Sequence, residues 1–249
     1  MTAPERAPLG AALALLLALV SLTGPASPVL MAGAVALLTV LVACAWPDLL
    51  ELPSPGGTRI VLAGVGVAGA ALAASSTDRF SPISGVVMLC AVGVFASFAQ
   101  QMLRTDRPEL TASLTGTIAG VFVAGISATW VLAQVETLSN GRSGLVAAVA
   151  TGLAATLLLN ATPLPPRLRF IASLLAGTGV TALLATSLAG LGLPLAAGLG
   201  VLIAIGAGCS QLLVGSSLVA REPLPSLAVG AVPVATAGVI AHLAVLLLP

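Results

Sequence analysis

Residues 170–220 read FIASLLAGTGVTALLATSLAGLGLPLAAGLGVLIAIGAGCSQLLVGSSLVA, with no charged side chain between Arg169 and Arg221. A helix needs ~20 mostly apolar residues to cross a ~30 Å hydrocarbon core. The stretch is therefore long enough for two crossings, and Gly192 with Pro194 marks the break between them. Outward in both directions the pattern repeats, with apolar runs separated by short punctuation of Arg, Asp, Glu, Pro and Gly. This predicts an all-α polytopic transmembrane bundle, one integral membrane domain over residues 1–249. Nine spans are expected, at 9–24, 29–46, 59–75, 83–103, 110–135, 143–160, 170–191, 193–220 and 224–248.

Composition agrees. The chain is 58% hydrophobic and 7% charged, against about 25% charged for an ordinary soluble domain. The first run comes after Arg6 as in a signal peptide, but a second apolar span begins soon after Ala26, so the first reads as an uncleaved helix. All nine basic residues are Arg, and with the Ala, Gly, Leu and Val bias this suggests a high-GC bacterial genome. A net charge of +1 excludes the broad basic face that nucleic acid requires. Cys44, Cys90 and Cys209 all fall inside spans, with no metal-binding spacing, and are expected to pack as small apolar residues.

Basic loops stay in the cytoplasm. With the N-terminus inside, the cytoplasmic segments carry Arg6, Arg59, Arg104, Arg107, Arg167, Arg169 and Arg221, and the outer segments carry Arg79 and Arg142. The C-terminus is then external and the protein belongs to the inner (plasma) membrane. The longest connection, Pro47 to Thr58, is a Pro/Gly-rich cytoplasmic loop, and no segment is long enough for a soluble domain. Trp46 and Trp130 lie near span ends, where indole rings prefer the interface, and are expected to anchor there.

Small residues at four-residue spacing let membrane helices approach closely. Such pairs are Gly116, Gly120 and Ala124; Gly64 with Ala68; Gly66 with Ala70; and Ser173, Gly177 and Thr181. The eighth span adds Gly198, Gly200, Gly206, Gly208 and Gly215. Pro194 opens a helix, and Pro233 is expected to kink the last one.

Chemistry-bearing groups are sparse. The span interiors carry no Asp, Glu, Lys or Arg, which counts against proton- or sodium-coupled transport. His242 is the ionisable interior residue besides the cysteines, and reads as an outer interfacial His. Pairing it with Ser210 as a hydrolase dyad fails on depth, since the two differ by about 12 Å along the membrane normal at 1.5 Å per residue. Gln100, Gln101, Gln134 and Asn160 lie near span ends within reach of headgroups, while the deeper Gln211 is expected to hydrogen-bond between helices. No nucleotide-binding or metal motif is present.

The last third of the chain, 165–249, resembles the membrane-embedded CDP-diacylglycerol synthases, or phosphatidate cytidylyltransferases. In that family a penultimate helix ends near G-D-x-x-E-S-x-x-K-R, an acidic loop comes next, and the last helix begins near D-S-L-x-x-A-x-P. Here the corresponding stretches are Ser216-Ser217-Leu218-Val219-Ala220-Arg221 and Ser226-Leu227-Ala228-Val229-Gly230-Ala231-Val232-Pro233. Pro165-Pro166-Arg167-Leu168-Arg169-Phe170 takes the place of the family's S-P-K-K-T-W, and Arg104 to Glu109 matches an Arg-bearing loop. The resemblance implies nine spans with these loops inside. It also puts Leu213 and Ser216 where the family has metal-binding Asp and Glu, Ala220 at the Lys position, and Glu222-Pro223-Leu224-Pro225 in place of the acidic loop. Cytidylyl transfer needs divalent cations to neutralise phosphate charge, so the expectation is a degenerate relative without catalytic, metal or cofactor site. It would act as a scaffold, or as a component that binds membrane lipids or another membrane protein. Arg167, Arg169 and Arg221 are the candidate headgroup-binding residues. A transporter or channel subunit with a neutral pathway is the alternative, and a lipid enzyme with an atypical site around these Arg is the third reading.

Overall fold

A computed structural model describes residues 3–75, 82–104, 109–142, 144–215 and 223–247. Among these there is no strand. The described residues form ten α-helices: α1 (Ala3–Ser21), α2 (Ser27–Leu49), α3 (Pro55–Ala74), α4 (Pro82–Leu103), α5 (Leu110–Ser127), α6 (Thr129–Ser139), α7 (Leu145–Asn160), α8 (Pro166–Ala189), α9 (Leu193–Gly215) and α10 (Pro223–Leu247). Among the described residues, seven helical runs are long and apolar enough to cross a membrane, α5 and α6 counting as one run from Leu110 to Ser139. Pro8–Ser21 and Leu145–Asn160 are shorter apolar helices.

The expected break in the 170–220 stretch is present. α8 stops at Ala189 because Gly190 takes a left-handed conformation, φ 65°, which closes a helix and which a side chain would resist. Pro194 then sits in the first turn of α9, where a missing N–H costs nothing. The connection expected at Pro47 to Thr58 is shorter than its composition suggests. α2 runs through Pro47 to Leu49, and α3 starts at Pro55, where proline's missing N–H costs nothing. Across that turn the Arg59 guanidinium reaches Asp48 at 2.6 Å and donates to the Cys44 carbonyl at 3.1 Å.

The fifth expected span is two helices rather than one. The run breaks at Ala128, where Ser127 and Thr129 each turn a hydroxyl back on a carbonyl three residues earlier, Ala124 and Ile126. Such back-bonding competes with the helical ladder and bends it. The Ala128 N–H accordingly reaches Gly125, a tighter three-residue step.

α10 is the central element, touching α1, α2, α5, α6, α7 and α9. Its sequence is almost wholly Ala, Gly, Val and Pro on the buried faces, so it is thin enough for six neighbours to approach. α4 and α8 lie at the periphery and show Met88, Phe95, Leu175 and Leu183 outward. Helix contact through small residues is clearest where α7 crosses α8. Gly152 faces Thr181, and Gly177 faces Thr156, so the Gly/Thr pair of each helix fits the pair of the other. Gly66 packs on Thr39, whereas Gly64, in the neighbouring pair, has nothing among the described residues within 4 Å of where a side chain would start.

Candidate functional site

Tryptophan and glutamine, expected at the lipid interface, are inside. Trp46 is 7% exposed and donates its indole N–H to the Gly116 carbonyl at 2.9 Å. Trp130 is 0% exposed and donates to the Val234 carbonyl at 2.8 Å. Each ring lies over a glycine. A Cβ at Gly120 would fall 2.8 Å from the Trp46 indole nitrogen, and one at Gly238 would fall 2.7 Å from Trp130 Cδ1. The expectation failed for Trp130 because the run continues to Ser139 and α10 covers the ring, and for Trp46 because α5 covers it. A buried indole needs a hydrogen-bond acceptor, and both rings find one on a helix across the bundle.

The amides behave alike. Gln101 Nε2 donates to Ser113 Oγ at 2.7 Å and its Oε1 accepts from Arg104 at 2.8 Å, tying α4 to α5. Gln100 reaches Ser54 Oγ at 3.4 Å. Gln134 donates to Ser27 Oγ at 2.8 Å and to the Ser21 carbonyl at 3.3 Å, closing α6 onto the α1–α2 turn. Gln211 does pair between helices, accepting from Asn160 Nδ2 at 2.7 Å. Unsatisfied polar groups are costly in an apolar interior, so an amide beside a neighbouring helix bonds there instead of reaching outward.

His242 is buried between helices, 8% exposed, near the C-terminal end of α10. Trp130 binds Val234 and faces Gly238, so one turn further along each helix brings Gln134 and His242 to the same level. His242 Nδ1, Gln134 Oε1 and Ser21 Oγ have no hydrogen-bond partner among the described residues. Ser210 lies elsewhere. Gly206 faces Ile240, which sets Ser210 opposite Thr236, about 9 Å along α10 from His242 at 1.5 Å per residue. Of the cysteines, Cys90 is buried as expected, and Cys44 and Cys209 are exposed on the outside of the bundle.

Between α2, α5, α9 and α10 the bundle leaves a crevice of about 470 Å³. Trp46, Val123, Val232 and Ala237 form its inner walls, and Gly206, Ser210, Leu213 and Val214 form the α9 side. It is widely open on one side, where Leu213 is 78% exposed. Wall atoms with nothing against them forgo dispersion contacts. Water fits poorly, since a buried water needs two to four polar partners. The Thr236 hydroxyl already bonds the Val232 carbonyl at 3.0 Å and the Pro233 carbonyl at 3.3 Å. The Trp46 N–H is engaged by Gly116. Ser210 Oγ is then the polar group left to meet an occupant.

Of the candidate headgroup residues, Arg167 is exposed and Arg169 half-buried, both in the first turn of α8. Arg221 lies outside the described residues, as do Ser216 and Glu222 of the stretch that resembles the cytidylyltransferases. Phe170 approaches α9 near Gly208, so the start of α8 flanks α9 on the side away from the crevice. No three His, Cys, Asp or Glu side chains come together among the described residues. The chain matches no protein-family model, no curated protein and no solved structure.

Proposed function

We propose that this chain crosses the plasma membrane nine times, with its N-terminus cytoplasmic and its C-terminus external, and serves the cell envelope as a non-catalytic scaffold that binds lipid or another membrane protein. Two of the crossings are α1 and α7. α7 is about 24 Å long at 1.5 Å per residue, shorter than the hydrocarbon core, but α1, α8, α9 and α10 surround it. Protein rather than lipid meets its sides and relaxes the length requirement. The Arg distribution supports the orientation.

The observation that carries the scaffold reading is the set of hydrogen bonds that cross the bundle. Trp46, Trp130 and Gln134 lie in the middle of the bundle and bond across it, and Ala, Gly and Val pack the rest around α10. A bundle bonded across its middle, with its crevice opening at the side, offers surfaces more readily than a path, which favours a scaffold over a transporter with a neutral pathway. The likeness to the lipid cytidylyltransferases supports the layout only. Leu213 stands where that likeness asks for a carboxylate, and it lies on the open rim of the crevice. Arg167 and Arg169, with Arg221, supply planar guanidinium groups suited to phosphate. The test is direct. Purified protein given phosphatidic acid, CTP and magnesium should form no CDP-diacylglycerol, and product above the level of a mock preparation would overturn the reading.

A further inference from the structure

We infer that the crevice between α2, α5, α9 and α10 is a binding site for one acyl chain of a membrane lipid. The inference rests on the chain crossing a bilayer, as proposed above, and goes beyond it by naming a ligand and its place. Three observations point there. The crevice opens sideways from between helices that are long and apolar enough to span a membrane, α2, the α5–α6 run, α9 and α10. Its mouth therefore meets hydrocarbon. Its walls are almost entirely aliphatic, apart from Trp46 and the Ser210 and Thr236 hydroxyls. Its volume, about 470 Å³, falls in the roughly 300–1,000 Å³ range of sites that enclose small ligands.

The possible contents differ in chemistry. Water lacks partners, because the Thr236 hydroxyl and the Trp46 N–H are already bonded within the protein. Vacuum forfeits the dispersion contacts of every wall atom. A hydrocarbon chain restores those contacts, needs no hydrogen bonds, and is the most abundant species at the mouth. Gly206 widens the crevice on the α9 side, since a Cβ there would come within 2.9 Å of Ile240 Cδ1. Ser210, opposite Thr236, adds a hydroxyl on that wall that an ester or hydroxyl of the lipid can meet.

Trp46 makes the site measurable, because it lines the crevice while Trp130 is sealed in the core. The full chain is reconstituted in phosphatidylcholine vesicles whose acyl chains carry bromine, which quenches indole fluorescence on contact, and in unbrominated vesicles. Quenching should appear in the wild type and vanish in Trp46→Phe, where Trp130 alone emits. Ser210→Leu and, separately, Thr236→Leu fill the crevice and should each restore Trp46 emission in brominated vesicles, with far-UV circular dichroism unchanged. Unquenched Trp46 in the wild type would overturn the inference, and so would quenching that persists in both filled variants. If Trp46 is unquenched and the protein is dimeric, a helix of a second copy fills the crevice instead, and the inference fails. Cytidylyltransferase activity would sink the scaffold reading without touching this one, and an unquenched Trp46 would do the reverse.

Discussion

Replacing Gly152 by Ala tests the packing argument at its tightest point. A Cβ there would run into the Thr181 hydroxyl, lie 3.0 Å from Thr181 Cβ, and lie 3.1 Å from the Gly177 carbonyl oxygen. The hydroxyl belongs to a stiff β-branched side chain, and the carbonyl is backbone, so neither yields cheaply. Overpacking of this kind costs about 1–3 kcal/mol. A clash with both a stiff side chain and a backbone carbonyl belongs in the upper part of that range, about 2–3 kcal/mol, and alanine's better helix propensity returns about 1 kcal/mol, so the net loss should be about 1–2 kcal/mol. Thr181 Oγ1 has no hydrogen-bond partner among the described residues, so Thr181→Ala alone should cost under about 1 kcal/mol. Together the two substitutions should recover about 1 kcal/mol of the Gly152→Ala loss, a coupling typical of residues in contact. Full recovery is not expected, because the Gly177 carbonyl remains. The assay is equilibrium unfolding in mixed micelles of mild detergent and dodecyl sulfate, monitored by circular dichroism for wild type, both single variants and the double variant. A Gly152→Ala protein as stable as wild type would refute the reasoning, and so would strictly additive losses in the double variant.

Three further outcomes are expected. Trp130→Phe removes the bond to the Val234 carbonyl and leaves a gap over Gly238, costing about 2 kcal/mol in the same unfolding assay, whereas Asp48→Asn, which breaks a half-exposed ion pair with Arg59, should change stability by under about 1 kcal/mol. A phosphatase fused after Pro249 should be active outside the cell, and an inactive fusion would count against nine crossings with the N-terminus inside. Native mass spectrometry should find anionic phospholipid bound, with discrete adducts lost when Arg167, Arg169 and Arg221 are all changed to Gln. Equal adducts in both proteins would leave only diffuse attraction at about 1 kcal/mol per Arg.

Much of the fold was legible because hydropathy sums along the chain. Helix limits such as Pro82–Leu103 and Pro223–Leu247 lie within one residue of the apolar runs at 83–103 and 224–248. The split at 191–194 could be read from Gly and Pro, whose backbone preferences are local. The break at Ala128 was missed although its signal was present. Gly125, Ser127 and Thr129 are weak helix formers at two-residue spacing, but each is common enough in membrane helices to pass unnoticed. The crevice left no trace in sequence, since its lining comes from four helices and looks like any apolar surface.

The sequence by itself determined the class, the approximate ends of the helices and the sparseness of charge inside them. These are properties of single residues in hydrocarbon, and they add up without reference to neighbours. Only the tertiary structure decided which face of each helix is inside. It turned Trp46, Trp130, Gln101 and Gln134 inward, where each found a partner on another helix. It also distinguished Gly66, packed on Thr39, from Gly64, which faces open space, although the two belong to identical motifs. The physical reason is that a polar or small residue takes its energy from what lies opposite. In a bundle, that is set by helices far away in the chain.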